Sequence, residues 1–255
     1  VGSTARISGG GALVLPAAAA AVALYELPAL SFALSMLRRP LGIVDRLDGL
    51  EPGRVALTFD DGPHRQGTAA VLRALAGEGV SATFFLVGEQ VARNPGLAAE
   101  VVAAGHEVGL HCYRHRLLAG LTPRQVADDL RAAAEAIGSA TGRCPLLYRP
   151  PYGVFNLAAL LAARRRGWQP TLWTRWGRDW ERRASPGSIV ANLCRGLGPG
   201  DILLLHDADH YAAAGSWQKT AAALPYLLER LRERGLQPVA LTSPSPAAAP
   251  GRAAV

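Results

Sequence analysis

Lysine is almost missing from this chain. Lys219 stands alone against a large excess of arginine, and the 255 residues carry a net charge of +7. Such a charge has two readings: codon bias in a GC-rich genome, where alanine and glycine also abound, or a preference for an acidic polymer or anionic surface. Dense basic runs with interleaved aromatics are absent, which argues against nucleic acid as a partner. Cysteine is scarce and odd in number, and Cys112, Cys144 and Cys194 are irregularly spaced. They make neither a disulfide framework nor a zinc ribbon. Charged residues are only 18% and hydrophobic ones 49%, which speaks against disorder and allows one good-sized core. No internal repeat is visible.

Long apolar runs are lacking except at the start. Residues 11–37 are nearly all apolar, broken by Pro16, Glu26 and Pro28. Twenty-seven residues of helix would run about 40 Å, enough to cross a bilayer. Residues 1–50 are therefore expected to form a separate apolar segment, a membrane anchor or an export signal, with a soluble alanine-rich helix as the other reading. Arg38, Arg39 and Arg46 follow the span while only Arg6 precedes it, which by the positive-inside tendency would keep the main domain cytoplasmic.

From residue 54 onward, short apolar runs alternate with amphipathic stretches. Strands are expected at 55–59, 82–87, 106–110, 146–149, 169–173, 202–205 and 238–241. Helices are expected at 68–76 with Thr68 as cap, 95–104, 123–141, 157–166, 188–195 and 224–234. This alternation implies an α/β fold whose parallel sheet of about seven strands is closed or nearly so. The main domain is expected to span 51–242, and the Pro/Ala/Ser-rich tail 243–255 reads as disordered.

In parallel barrels the chemistry gathers at the C-terminal ends of strands. Asp60, Asp61, His111, Arg149, Asp179 and His206 all fall at such ends. Two adjacent carboxylates, Asp60-Asp61 before Gly62-Pro63, let one bind a divalent ion while the other stays free to take a proton. His111 and His115, four apart, would share one face of a helical turn. With an aspartate from another strand end they make a three-ligand open site whose water the ion activates. His206 suits a general acid, with Asp179 orienting it and Arg149 keeping Asp60 ionised. Leu204 shares the face of His206. Plainer readings exist for each: Asp60-Asp61 also suits a turn, Arg149 a simple salt bridge, and His206 and Trp180 the core.

These residues carry a resemblance. The chain resembles the NodB-homology polysaccharide deacetylases, carbohydrate esterase family 4, over residues 53–242. The match runs through Thr58-Phe59-Asp60-Asp61-Gly62-Pro63, His111-Cys112-Tyr113-Arg114-His115, Arg149-Pro150-Pro151-Tyr152-Gly153, Asp179-Trp180 and Leu204-Leu205-His206-Asp207. It implies a distorted (β/α)7-type barrel and one divalent ion, usually zinc, held by Asp61, His111 and His115. It implies Asp60 as base, His206 as acid, Arg149 and Asp179 as their partners, and the Tyr152 backbone N–H as an oxyanion donor. Trp180 and Leu204 would line the acetyl pocket. The expected activity is hydrolysis of N-acetyl groups on an amino-sugar polymer or oligomer of peptidoglycan or chitin type. The alternatives are an esterase or deformylase on another acylated sugar, or a non-catalytic carbohydrate-binding module. A wall substrate places the domain outside the cytoplasm, against the arginine asymmetry, so sidedness stays open. Two departures stand out. Cys112 replaces the usual hydroxyl after the first histidine and, beside the ion, reads as oxidation-sensitive. Trp176 stands about where the family often carries an aspartate. The loop 208–217, with Asp209, His210, Tyr211 and Trp217, is longer than a minimal version and is expected to shape the rim.

Overall fold

The computed structural model describes residues 11–47 and 53–242. The tail assigned to 243–255 lies outside the described residues. Eight strands pair in parallel: β1 (Arg54–Asp60), β2 (Thr83–Leu86), β3 (Glu107–Leu110), β4 (Leu147–Tyr148), β5 (Gln169–Pro170), β6 (Arg175–Trp176), β7 (Ile202–His206) and β8 (Gln237–Val239). Their order is β5-β4-β3-β2-β1-β7-β6, with β8 also on β1. The sheet curls into a half-barrel with helices packed outside. These are α1 (Gly11–Glu26), α2 (Gly67–Ala76), α3 (Gly88–Arg93), α4 (Pro95–Ala103), α5 (Pro123–Thr141), α6 (Leu157–Arg166), α7 (Pro186–Cys194) and α8 (Ser216–Glu233).

β1 is the centre of the sheet, and every residue in it is buried. Side chains alternate along a strand. Val55, Leu57 and Phe59 accordingly join the outer core, where Phe59 stacks on Phe84 at 5.0 Å. Thr58 and Asp60 take the opposite face. β7 runs beside β1 with Leu204 opposite Thr58 and His206 opposite Asp60. Leu203 and Leu205 enter the core. Period-two alternation on two neighbouring strands thus delivers Asp60 and His206 to one mouth.

Several elements differ from the sequence reading. The strand expected at 169–173 stops at Pro170, and a second short strand forms at Arg175–Trp176. α8 begins at Ser216 and carries Pro225 in its interior, whereas that proline reads in sequence as part of a first turn. Thr68 does not cap α2. It lies inside the helix, accepts from the His64 N–H at 2.8 Å and donates to the Asp207 carboxylate.

The largest difference is at the N-terminus. The expected single helix over 11–37 ends at Glu26, just before Pro28, and two short 3-10 turns follow at Leu27–Ser31 and Ser35–Leu37. No helix among the described residues is long and apolar enough to cross a membrane. Residues 25–47 instead run as a strap along the domain. The Tyr25 hydroxyl donates to the Leu121 carbonyl at 2.6 Å, and the Gly120 N–H donates to Glu26 at 2.9 Å. Val44 bridges to Thr171 beside β5, and Arg46 bridges to Asp201 at the start of β7, so the strap spans the opening of the half-barrel. The arginines after the apolar run have structural partners. Arg46 pairs with buried Asp201 at 2.7 Å. Arg38 pairs with Asp45 at 2.8 Å and donates to the carbonyls of Ser31, Phe32 and Trp173.

Arg38→Ala removes all of these bonds at once. Hydrogen bonds to charged groups contribute about 1.5–3 kcal/mol, so urea unfolding should show a loss of that order. Proteolytic cleavage within residues 27–47 should quicken, and an unchanged midpoint with unchanged cleavage would refute the strap's anchoring.

Candidate active site

The C-terminal ends of β1, β3, β4 and β7 meet around one cleft of about 260 Å³. Its charged wall is Asp60, Asp61, His111, His115 and His206, and its apolar wall is Phe32, Tyr152, Trp173, Trp176, Trp180 and Leu204. Asp60 ends β1 and is 3% exposed. Its Oδ1 accepts from Arg149 at 2.7 Å. Arg149 is fully buried and also donates to the Thr58 hydroxyl at 2.9 Å and the Leu172 carbonyl at 3.2 Å. The guanidinium lies 4.0 Å from the Phe85 ring centroid. The second carboxylate oxygen of Asp60 takes no part in this pair and faces His111 at 3.9 Å.

Asp61 sits at φ 80°, a left-handed conformation that breaks the strand's alternation and aims its carboxylate away from Arg149. Gly62 follows with no room for a side chain, because a Cβ there would collide with the Asp207 carboxylate. Burial raises the Asp207 carboxyl to about 7.

His111 and His115 come from a loop after β3, not from a helical turn. Cys112 between them has φ 63°, which no helix accommodates. The loop is held by backbone bonds from Gly88 to Cys112 and from Glu89 to Tyr113, both 2.9 Å, and by the Asp129 carboxylate accepting from the Tyr113 N–H at 2.7 Å. Cys112 is fully buried, 3.8 Å from the Tyr148 hydroxyl. Burial pushes its thiol up, which disfavours the thiolate.

One ligand atom from each of Asp61, His111 and His115 lies within 4.8 Å of the others. The Asp61 Oδ1 is 3.4 Å from His111 Nε2 and 3.2 Å from His115 Nε2, and is buried without a hydrogen-bond partner of good geometry. Burial opposes charge on Asp61, but the two imidazoles outweigh it and hold its carboxyl well below the usual range. His111 Nδ1 donates to the Arg149 carbonyl at 2.8 Å, so the Nε2 lone pair is left for the cluster. One carboxylate and two imidazoles with an orphaned oxygen at their focus fit a divalent cation with an open position.

His206 is held from both ends by Asp179. Its Nδ1 donates to Oδ1 at 2.9 Å and its backbone N–H to Oδ2 at 2.7 Å. The Thr220 hydroxyl adds a third bond to the same carboxylate at 2.7 Å. Burial alone would depress the His206 imidazole, but Asp179, with Asp61 and Asp60 across the cleft, lifts it to about 10. The Trp180 indole meets its ring edge-on at 5.4 Å. Tyr152 is left-handed at φ 59° and over half exposed at the rim.

Sequence reasoning missed Phe32 altogether, because it lay inside an apolar run read as a membrane span. Glu26 and Pro28 were the signals that the helix stops before it. From the long loop, Tyr211 reaches the cleft, where its ring stacks on His115 at 4.2 Å and its hydroxyl donates to Glu89 at 2.7 Å. Asp209, His210 and Trp217 do not line the cleft; they gather around His64.

The polysaccharide deacetylase family profile matches residues 48–171. A peptidoglycan-N-acetylglucosamine deacetylase of Bacillus cereus is 36% identical over 183 residues, covering 71% of this chain and 83% of the relative. A chitooligosaccharide deacetylase of Bradyrhizobium is 38% identical over 192 residues, covering 72% of this chain and 86% of the relative. Among solved structures, a family 4 carbohydrate esterase from Streptomyces lividans in complex with acetate superposes with a TM-score of 0.66 at 35% identity, covering 73% of this chain and 91% of that one.

The charge on His206 depends on Asp179, so Asp179→Asn should lower the imidazole's titration midpoint by about 1–3 pH units. Proton NMR of the ring through alkaline pH measures it. An unmoved midpoint would show that Asp179 is not what keeps His206 charged.

Proposed function

The chain belongs to the polysaccharide deacetylase family of hydrolases acting on non-peptide C–N bonds, and from that premise we propose that it removes N-acetyl groups from an amino-sugar polymer or oligomer of peptidoglycan or chitin type. The observation that carries this reading is the pairing of an arginine-held, cluster-facing Asp60 with an Asp179-held His206 across one cleft. The relatives' names, a peptidoglycan-N-acetylglucosamine deacetylase and a chitooligosaccharide deacetylase, support the same substrate class.

Asp61, His111 and His115 would hold a divalent cation, zinc by the chemistry of the donors, which when bound polarises the acyl oxygen and makes water acidic. Asp60 is the general base. Arg149 occupies one of its oxygens, and the other oxygen is left to take a proton from the attacking water. His206 is the general acid, holding its proton on Nε2 because Nδ1 is committed to Asp179. It gives that proton to the sugar nitrogen as the C–N bond breaks, so acetate leaves and the amine stays on the sugar. The Tyr152 backbone N–H, set by its left-handed turn, donates to the oxyanion. Trp180 and Leu204 enclose the acetyl methyl, and the apolar wall excludes bulk water from the charged one.

Asp60→Asn should keep the cation but lower kcat by about 100- to 10,000-fold, the usual range for a lost general base. Acetate release from chitooligosaccharides and peptidoglycan fragments measures it, and full activity would reject the assignment. His111→Ala should strip the cation, read as metal content of the purified protein. Undiminished content would remove His111 from the ligand set.

A further inference from the structure

Beyond the acetyl pocket, the cleft continues along a row of aromatic rings. Starting at His206, Trp180 lies 5.4 Å away, Trp176 is 5.6 Å from Trp180, and Phe32 is 6.0 Å from Trp176. Trp173 supports the row from behind, 6.0 Å from Trp176 and 6.3 Å from Phe32. Trp176 is 38% exposed and Phe32 36%, although both rings pack against aromatic neighbours. Large rings kept at a mouth and held on their inner side present a surface for something outside.

The platform is built rather than accidental. Arg38 donates to the carbonyls of both Phe32 and Trp173 at 3.1 Å, fixing the strap to the loop that carries the tryptophans. Gly153, at φ 70°, lets the rings approach the Tyr152 turn. A Cβ there would lie 2.7 Å from the Trp173 ring and 3.1 Å from the Phe32 ring. Two segments over a hundred residues apart in sequence are thus held in register at the edge of the site.

We propose that Phe32 and Trp176 form a second sugar-binding subsite, one that takes the pyranose ring next to the residue being deacetylated. This rests on the deacetylase reading and adds the requirement for a linked second sugar. The chemistry selects this occupant. A pyranose in its chair form shows a face of axial C–H bonds, and the negative face of an aromatic ring attracts such weakly positive hydrogens. The row runs from the catalytic imidazole to rings exposed at the rim, where a chain linked to the bound sugar can lie on them. At position 176 an indole offers a stacking surface and no hydrogen-bonding carboxylate.

The test compares N-acetylglucosamine with its β-1,4-linked tetramer. Acetate release gives KM for each, and quenching of tryptophan fluorescence in the Asp60→Asn protein gives binding without turnover. Phe32→Ala and Trp176→Ala should each raise KM for the tetramer by about 3- to 10-fold, the range for losing one ring contact, and shrink the tetramer's advantage over the monomer. Trp176→Phe should restore most of it, which a merely structural defect would not allow. The proposal falls if the tetramer binds no better than the monomer in the fluorescence assay, or if both alanine variants keep the full preference. Failure of acetate release alone would strike the reaction, while the binding assay still decides the subsite.

Discussion

A single buried arginine organises this site. Arg149 has no exposed surface, yet it bonds to β1, to the first histidine after β3 and to the segment after β5. Its guanidinium grips Asp60 and Thr58 on β1, and its backbone carbonyl orients His111. Its other nitrogen reaches the Leu172 carbonyl, and its plane lies between the rings of Phe85 and Trp173. A buried ion pair gains little stability over well-packed apolar residues, whereas removing one partner costs about 3–5 kcal/mol. The pair therefore acts as a constraint on geometry more than as a source of stability. It fixes which oxygen of Asp60 is occupied and which imidazole nitrogen of His111 is free.

Around that constraint the backbone is strained in a consistent way. Asp61, Cys112 and Tyr152 follow or lie near the ends of β1, β3 and β4, and all three adopt positive φ without being glycine. Each such residue costs of order 1–3 kcal/mol and persists only where its surroundings force it. Here the forcing contacts are visible: Asp207 against Gly62, the Gly88 and Asp129 bonds on the histidine loop, and Pro150-Pro151 before Tyr152. Without the turn at Asp61, its carboxylate would follow the strand alternation to the face opposite Asp60. The strain is what brings two adjacent acids to one cleft with different partners.

The charged half of the site was legible in the sequence, as were Tyr152, Trp180 and Tyr211 of the aromatic wall, whereas Phe32 and Trp173 were not. Asp60 and His206 could be placed because strand alternation is rigid and both end apolar runs of the right length. The histidine pair could be named from its spacing, but spacing alone suggests a helix and says nothing of a left-handed residue between them. The strap was illegible for a different reason. An apolar run reads alike whether lipid or protein covers it, and only Glu26 and Pro28 hinted that it breaks. β5 was expected but ends early, because Val44 of the strap donates to the Pro170 carbonyl and accepts from the Leu172 N–H, and β6, two residues long, carries no pattern to read.

In a closed barrel the rim is shaped by loops that can vary independently of the fold. Here the gap between β5 and β7 is crossed by the chain's own N-terminal strap, and Phe32 on it helps to form the cleft. Arg38 joins strap and tryptophan loop through backbone carbonyls, so side-chain changes elsewhere on the strap leave the join intact. The same segment that completes the half-barrel therefore supplies part of the substrate wall. A ligand stacked on Phe32 and Trp176 would bind only the folded, strapped form, and by mass action it would stabilise the closure it depends on.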